Sequence, residues 1–214
     1  MDLPKLQEKL YVAVLTDVLD QMGYRQQATR SAFFAYTGTD KLLGRCKTTL
    51  WADIFNVDEN PYEMELQAVD SCQPGDVLIC AAGGSNRSGI WGELLSTAAR
   101  NSGCVGVIVH GAVRDVAKMR EMGFPVFATA KNVYDSQNRQ KVIEMDVSVE
   151  IDGVVFNPGD LVMADEDGIV VIPSQIEEQV IEAALQKVDA ENITRDAIKN
   201  GMKATEAYQK YGVL

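Results

Sequence analysis

Hydrophobic positions along the chain fall into alternating helical and strand-like periods. Leu6, Leu10, Val14, Val18 and Met22 recur every four residues, which predicts a helix over 3–22 that Gly23 stops. Thr16-Asp17 offers an alternative start for a second, short helix inside that stretch. Residues 44–51 alternate roughly as a strand, and 60–70 reads as a helix with Met64, Leu66 and Val69 as buried positions. After the turn Pro74-Gly75-Asp76, residues 77–82 form an apolar strand, followed by a glycine-rich loop over 83–89. Leu94, Leu95, Ala98 and Ala99 then make a helical stripe ended by Gly103. A second buried strand over 104–109, a short helix over 116–122 stopped by Gly123 and a strand over 125–130 complete this unit. Strand and helix alternating at these lengths predict an α/β fold with a short parallel sheet.

The last third has a different rhythm. Residues 141–151 and 153–155 alternate like strands that meet at the turn Asp152-Gly153. Pro158-Gly159-Asp160 is another turn, and 161–164 and 168–172 are strands flanking Asp165-Glu166-Asp167. Ser174 with Glu177 three residues later has the form of a capping box. The helix behind it would bury Ile176, Val180, Ile181, Ala184, Leu185 and Val188, with Gly201 interrupting it before a final helix over 204–211. No repeat or linker divides the chain, so 1–214 is expected to be one domain with a helical N-terminal segment at about 3–22 and C-terminal helices at about 175–211.

Composition narrows the function classes. The chain is 46% hydrophobic and 24% charged, as expected for a globular protein with a core. Its apolar runs are too short to span a bilayer, and the first residues lack the apolar core of an export signal, which predicts a cytoplasmic protein. Cys46, Cys72, Cys80 and Cys104 are scattered without a CxxC pair and read as buried, reduced thiols. With His110 as the only histidine, a structural zinc site is not expected. A net charge of −11, from 31 acidic and 20 basic residues, argues against binding a phosphate backbone.

Candidate chemistry gathers at two strand-to-helix junctions, where ligands of α/β sheets tend to sit. At the first, the amides of Gly92, Glu93, Leu94 and Leu95 would be the unpaired donors of a helix start, suited to a carboxylate or phosphate. At the second, Arg114 offers a planar fork to a carboxylate or carbonyl oxygen, and Asp115 a hard oxygen to Mg²⁺ or Mn²⁺. Glu93 could hold a water of such a cation. The same residues also suit a helix N-cap (Asp115), a first-turn dipole partner (Glu93) and a surface ion pair (Arg114). Asp165 and Asp167 lack the full spacing of a calcium loop and read as a tight turn.

These segments resemble a known family. Gly92-Glu93-Leu94-Leu95, followed by Gly103 and His110-Gly111-Ala112-Val113-Arg114-Asp115, is similar to the RraA-like family. That family includes the 4-hydroxy-4-methyl-2-oxoglutarate / 4-carboxy-4-hydroxy-2-oxoadipate aldolases and the RNase E regulator RraA. Thr16-Asp17-Val18-Leu19-Asp20, Gln73-Pro74-Gly75-Asp76-Val77-Leu78 and the run from Ala164 through Asp165-Glu166-Asp167 to Pro173 extend the similarity over roughly residues 10–190. The resemblance implies a single-domain α/β sandwich like the swivelling phosphohistidine domain, with N- and C-terminal helices, assembled as homotrimers or homohexamers with sites near subunit interfaces.

In the aldolases, positions matching Gly92, Glu93, Leu94 and Leu95 bind substrate, the match to Arg114 contacts the oxo acid, the match to Asp115 ligates the metal, and the match to Glu93 acts on the metal through water. The chain departs from the aldolases at His110, where they often carry aspartate and regulators can carry an aromatic residue. The acidic residue that a neighbouring subunit contributes has Glu191 as its nearby candidate. The activity so implied is a Mg²⁺-dependent (or Mn²⁺-dependent) lyase that cleaves a carbon–carbon bond of a small 2-oxo acid to release pyruvate, with oxaloacetate decarboxylation through the same enolate. A regulator that inhibits a ribonuclease is the alternative, and another metal-dependent lyase or hydrolase acting on a small carboxylic acid is a further one.

Overall fold

The structure, a computed structural model, describes residues 2–213. It opens with two short helices, α1 (Leu3–Lys9) and α2 (Val12–Gln21), then strands β1 (Phe34–Ala35) and β2 (Leu42–Asp53) and helix α3 (Glu63–Asp70). The central unit follows as β3 (Asp76–Ala81), β4 (Gly89–Trp91), α4 (Glu93–Asn101), β5 (Gly106–Val113), α5 (Val116–Met122) and β6 (Val126–Lys131). Strands β7 (Gln140–Met145), β8 (Val149–Ile151), β9 (Val154–Phe156), β10 (Leu161–Asp165) and β11 (Gly168–Ile172) lead to helices α6 (Glu177–Lys199) and α7 (Ala204–Tyr211).

The sheet runs β1-β6-β5-β3-β2-β10-β11, with β4 beside β5 and β7 beside β2. Its centre is parallel, β2 with β3, β3 with β5 and β5 with β6, while β10, β11, β7 and β1 pair antiparallel. The parallel strands are apolar almost throughout because both faces are covered. Leu78, Cys80, Val107 and Val109 point into one core with Val69, Ala99, Met119 and Phe124, which come from α3, α4, α5 and the segment after it. Ile79 and Ile108 point the other way, against Ile151, Val154 and Phe156 of the β8–β9 hairpin. A third core packs Leu15, Leu19, Val180 and Ala184 of α2 and α6 onto Leu161, Met163, Val170 and Ile172 of β10 and β11. Helices on one face and a hairpin on the other make the layered α/β sandwich expected from the sequence. No helix among the described residues is long and apolar enough to cross a membrane, and all four cysteines are free and buried.

Long-range contacts redraw several local expectations. The helix predicted over 3–22 breaks at Leu10 and Tyr11, because distant groups satisfy the backbone there: Lys41 Nζ donates to the Leu10 carbonyl at 2.9 Å, and Val12 N donates to Asp165 Oδ2 at 2.7 Å. Thr16 lies inside α2 and bonds back to the Val12 and Ala13 carbonyls, so it starts no helix. Asp165 also accepts from Asp167 N at 2.9 Å, so the predicted tight turn doubles as the cap of α2. The capping box at Ser174 does not form: Arg45 grips the Glu177 carboxylate with both terminal nitrogens, and Ser174 N donates to Asp160. The strand predicted over 141–151 splits into β7 and β8 around Asp146, whose φ of 57° lies in the left-handed region.

Two helices bury most of the face predicted, with Val69 and Ala99 in the core and Met64, Leu95 and Ala98 packed against it, but each turns one predicted leucine outward. In α3 the buried residues are Glu65, Ala68 and Val69, while Leu66 is half exposed. In α4, Ser96 and Ala99 are buried and Leu94 is 78% exposed. Strand β4 is not expected from the sequence, where Gly89 ends the glycine-rich loop and 90–91 have no assignment, since three residues carry no usable period.

Candidate functional site

Strand β4 decides where the two junctions lie. It pairs parallel to the end of β5, Gly89 opposite Ala112 and Trp91 opposite Val113, and Arg114 N donates to the Trp91 carbonyl at 2.8 Å. Both strands therefore end together, and the starts of α4 and α5 stand side by side. The close packing depends on glycine: a Cβ at Gly89 would lie 2.3 Å from the Asn132 carbonyl oxygen, and one at Gly92 would lie 2.6 Å from Asp115 Oδ2.

Between the junctions is a cavity of about 310 Å³, lined by Gly92, Leu94 and Leu95 of the first junction and Arg114 and Asp115 of the second. Gly92 is the extended residue before α4, leaving the first amides of that helix without intrahelical acceptors. Asp115 adopts φ 54° and ψ 29°, a left-handed conformation that is uncommon and strained for a non-glycine residue. It is the N-cap residue of α5, as the alternative reading expected, but its side chain makes no capping hydrogen bond to that helix. Its carboxylate turns instead to the start of α4, with Glu93 N 3.4 Å from Oδ2.

Arg114 is held from the far side. Its Nη2 lies 2.5 Å from Asp135 Oδ2, and the Tyr62 hydroxyl donates to Asp135 Oδ1 at 2.6 Å. Burial alone would raise the Asp135 carboxyl, but hydrogen bonds from Tyr62 and Gln137 N and the Arg114 guanidinium outweigh it and keep it below its ordinary value. Burial and the bond to Asp135 push the Tyr62 hydroxyl up to about 12. Glu65 lines the same cavity, and burial, reinforced by Asp135 and only partly opposed by Arg114, pushes its carboxyl up to about 8. Tyr62, Glu65 and Asp135 were not singled out from the sequence. For Glu65 a signal existed: it stands three and four residues before Ala68 and Val69, on the face that α3 buries.

Three predicted residues stand apart. The Glu93 carboxylate accepts from Thr97 Oγ1 at 3.1 Å and faces a shallow surface hollow with Lys118 and Glu121, so only its amide reaches toward Asp115. His110 is inside β5, its ring tilted by 41° to that of Phe33 with centroids 6.1 Å apart, its Nε2 3.8 Å from Asp152 Oδ1. Burial lowers its pKa despite the opposing pull of Asp152. Glu191, on α6, accepts from the Tyr11 hydroxyl and lies near Lys187 and Arg195 within its own chain.

The donor set at Asp115 fits one kind of cation. Among the described residues no group of three or more His, Cys, Asp or Glu side chains forms a cage. A single hard carboxylate, 43% exposed and without a hydrogen bond to its own helix, suits an ion such as Mg²⁺ that keeps most of its waters. A carboxylate ligand would be met by the α4 amides and the Arg114 fork.

Comparison with known proteins places the chain in a family. A family model described as RraA-like, Aldolase/RraA, matches residues 12–171. The chain is 31% identical over 143 residues, 67% of its length, to Protein DlpA of Legionella pneumophila, and that match spans only 23% of the longer protein. It is 32% identical over 143 residues, 67% of this chain and 68% of the other, to a Halalkalibacterium halodurans protein provisionally named 4-hydroxy-4-methyl-2-oxoglutarate aldolase. Among solved structures, RraAS2 of Streptomyces coelicolor, described as an unusual member of the RNase ES inhibitor RraA protein family, superposes with a TM-score of 0.77 at 29% identity, covering 89% of this chain and 96% of that one.

Proposed function

Because the chain belongs to the RraA-like family, we propose that it is a divalent-metal-dependent lyase that cleaves a carbon–carbon bond of a small 2-oxo acid. Substrates of the 4-hydroxy-4-methyl-2-oxoglutarate type would yield pyruvate, and oxaloacetate would lose CO₂ through the same enolate. The observation that carries this reading is the Asp115 carboxylate, held in a left-handed backbone conformation, uncommitted to its own helix and set beside Arg114 at the start of α4.

Asp115 would hold the cation, Mg²⁺ first and Mn²⁺ second. Bound there, the metal supplies Lewis-acid polarisation of the substrate's 2-oxo group. The α4 amides at Glu93, Leu94 and Leu95 orient the substrate carboxylate. Arg114, braced by Asp135, offers donors to the oxygen on which negative charge develops as the bond breaks. Glu93 stands beside the cavity rather than in it and acts there only through water. The charge development needs no lysine, so a Schiff-base route has no part in this scheme. Cytoplasmic location and a homotrimer or homohexamer with sites near subunit interfaces accompany the proposal.

A second reading has its own support in the similarity to RraAS2 and in the net charge of −11: an acidic protein that binds basic segments of a ribonuclease. One experiment separates the two. Pyruvate release from oxaloacetate and from 4-hydroxy-4-methyl-2-oxoglutarate is measured with Mg²⁺ and with EDTA, beside a binding assay with the ribonuclease. The lyase reading expects release that Mg²⁺ supports and EDTA abolishes. Ribonuclease binding without pyruvate release would replace it with the regulator.

A further inference from the structure

The cavity is lined by a carboxyl with one oxygen that no described residue engages. Glu65, on α3, is 7% exposed, and its Oε2 is sealed from solvent without a hydrogen-bond partner. It lines the cavity with Tyr62 and Leu66 of its own helix, opposite Gly92, Arg114, Asp115 and Asp135. Native proteins satisfy nearly all buried polar atoms, and the exceptions concentrate where a ligand or a reaction supplies the partner. Burial, reinforced by Asp135 and partly opposed by Arg114, pushes its carboxyl up to about 8.

Releasing pyruvate from a hydroxylated 2-oxo acid requires two proton transfers. One proton leaves the hydroxyl as the carbon–carbon bond breaks, and another must reach C3 of the resulting enolate. Few groups around the cavity can give that second proton. The Tyr62 hydroxyl is committed to Asp135 at 2.6 Å and is a weakened acid. Asp135 is ionised in its pair with Arg114, and a guanidinium does not release a proton in this range. Asp115, as the cation's ligand, is ionised in that role. Among the side chains lining the cavity, Glu65 remains as the acid with no hydrogen-bond partner on its Oε2.

Resting on the reading of this site as a pyruvate-releasing lyase, we infer that Glu65 is the catalytic acid that protonates the enolate carbon. The electron pair of the enolate C=C takes the Glu65 proton to form the new C3–H bond, and C2–O returns to a carbonyl. The Glu65 O–H bond breaks to leave a carboxylate, which regains a proton from water as pyruvate departs. The unpaired, buried acid of the ligand-free cavity is thereby explained: its partner is the substrate.

The test compares wild-type protein with Glu65→Gln, which keeps the size and removes the proton. In D₂O with Mg²⁺, exchange of the pyruvate methyl protons is followed by NMR, oxaloacetate consumption is followed in parallel, and a thermal melt is recorded for each. The variant is expected to melt no lower than wild type, and its oxaloacetate consumption to slow less than its methyl exchange, because enolpyruvate that leaves the site ketonises in solution. Its methyl exchange should be slower by at least about 100-fold, the lower end of what general acid–base catalysis contributes. Exchange at the wild-type rate would overturn the inference. Loss of oxaloacetate consumption together with exchange, in a folded variant, would overturn it in favour of a binding role. A variant that cannot fold would contradict the description of Glu65 as a partnerless acid. Absence of Mg²⁺-dependent consumption by the wild type would remove the lyase reading itself, and the assignment of Glu65 with it.

Discussion

At Gly92 a single methyl group is enough to reach the proposed metal ligand. An added Cβ lies 2.6 Å from Asp115 Oδ2 and 3.2 Å from Arg114 Cγ, both atoms of flexible side chains rather than backbone. Gly92 is extended, with φ −150°, so alanine brings no backbone strain. Gly92→Ala should therefore fold normally while pushing the Asp115 carboxylate aside, and Mg²⁺-dependent pyruvate release should fall by about 10- to 100-fold, the loss expected when groups supporting a metal ligand are disturbed. A circular dichroism melt alongside the activity assay checks both halves, and unchanged activity would mean that Asp115 is not held as described. At this scale the sequence was informative where chemistry and glycine coincide: Gly92, Arg114 and Asp115 stand out as residue types. Asp135 and Tyr62 do not, because their value comes from a hydrogen-bonded chain to Arg114 that joins α3 to the loop after β6. Glu65 was masked for another reason. Charged residues are almost never buried without a partner, so the rule that places Leu66 inside and Glu65 outside is sound in general and fails at a reactive site.

Elements with a long, clean period were legible, and those made by distant partners were not. The apolar runs of β3, β5 and β11 announce themselves, as does the stripe of α6. The three residues of β4 do not, although their pairing with β5 is what brings the two junctions together. The break between α1 and α2 was equally hidden, because the group that caps α2 is Asp165, 153 residues away in sequence from Val12. Asp165 is 8% exposed and also receives Asp167 N. Replacing it with alanine leaves buried amides without acceptors at the start of α2 and in the β10–β11 turn, at a cost of roughly 1–3 kcal/mol. The thermal midpoint should drop by roughly 2–10 °C, and a differential scanning calorimetry trace that does not move would show that α2 is not capped by this side chain.

At the scale of the whole molecule, the α/β class was readable from the order of periods, but the strand order was not. Parallel pairing of β2 with β3 and antiparallel pairing of β2 with β10 are contacts between segments far apart in sequence. Within its own chain His110 stands against Asp152 and Glu191 against Tyr11, contacts that the family resemblance, which brought both residues forward, carries no information about. What the fold does concentrate is one cavity where the proposed cation ligand, a braced arginine, helix-start amides and a buried acid with a raised pKa face one another. The central claim is that Asp115 makes this cavity a metal-dependent catalytic site. The most direct test is oxaloacetate turnover to pyruvate at saturating Mg²⁺ by wild type and by Asp115→Ala, each shown folded by its melt. The account predicts metal-dependent turnover by the wild type and a loss of at least about 100-fold in the variant; equal turnover by the two folded proteins would contradict it.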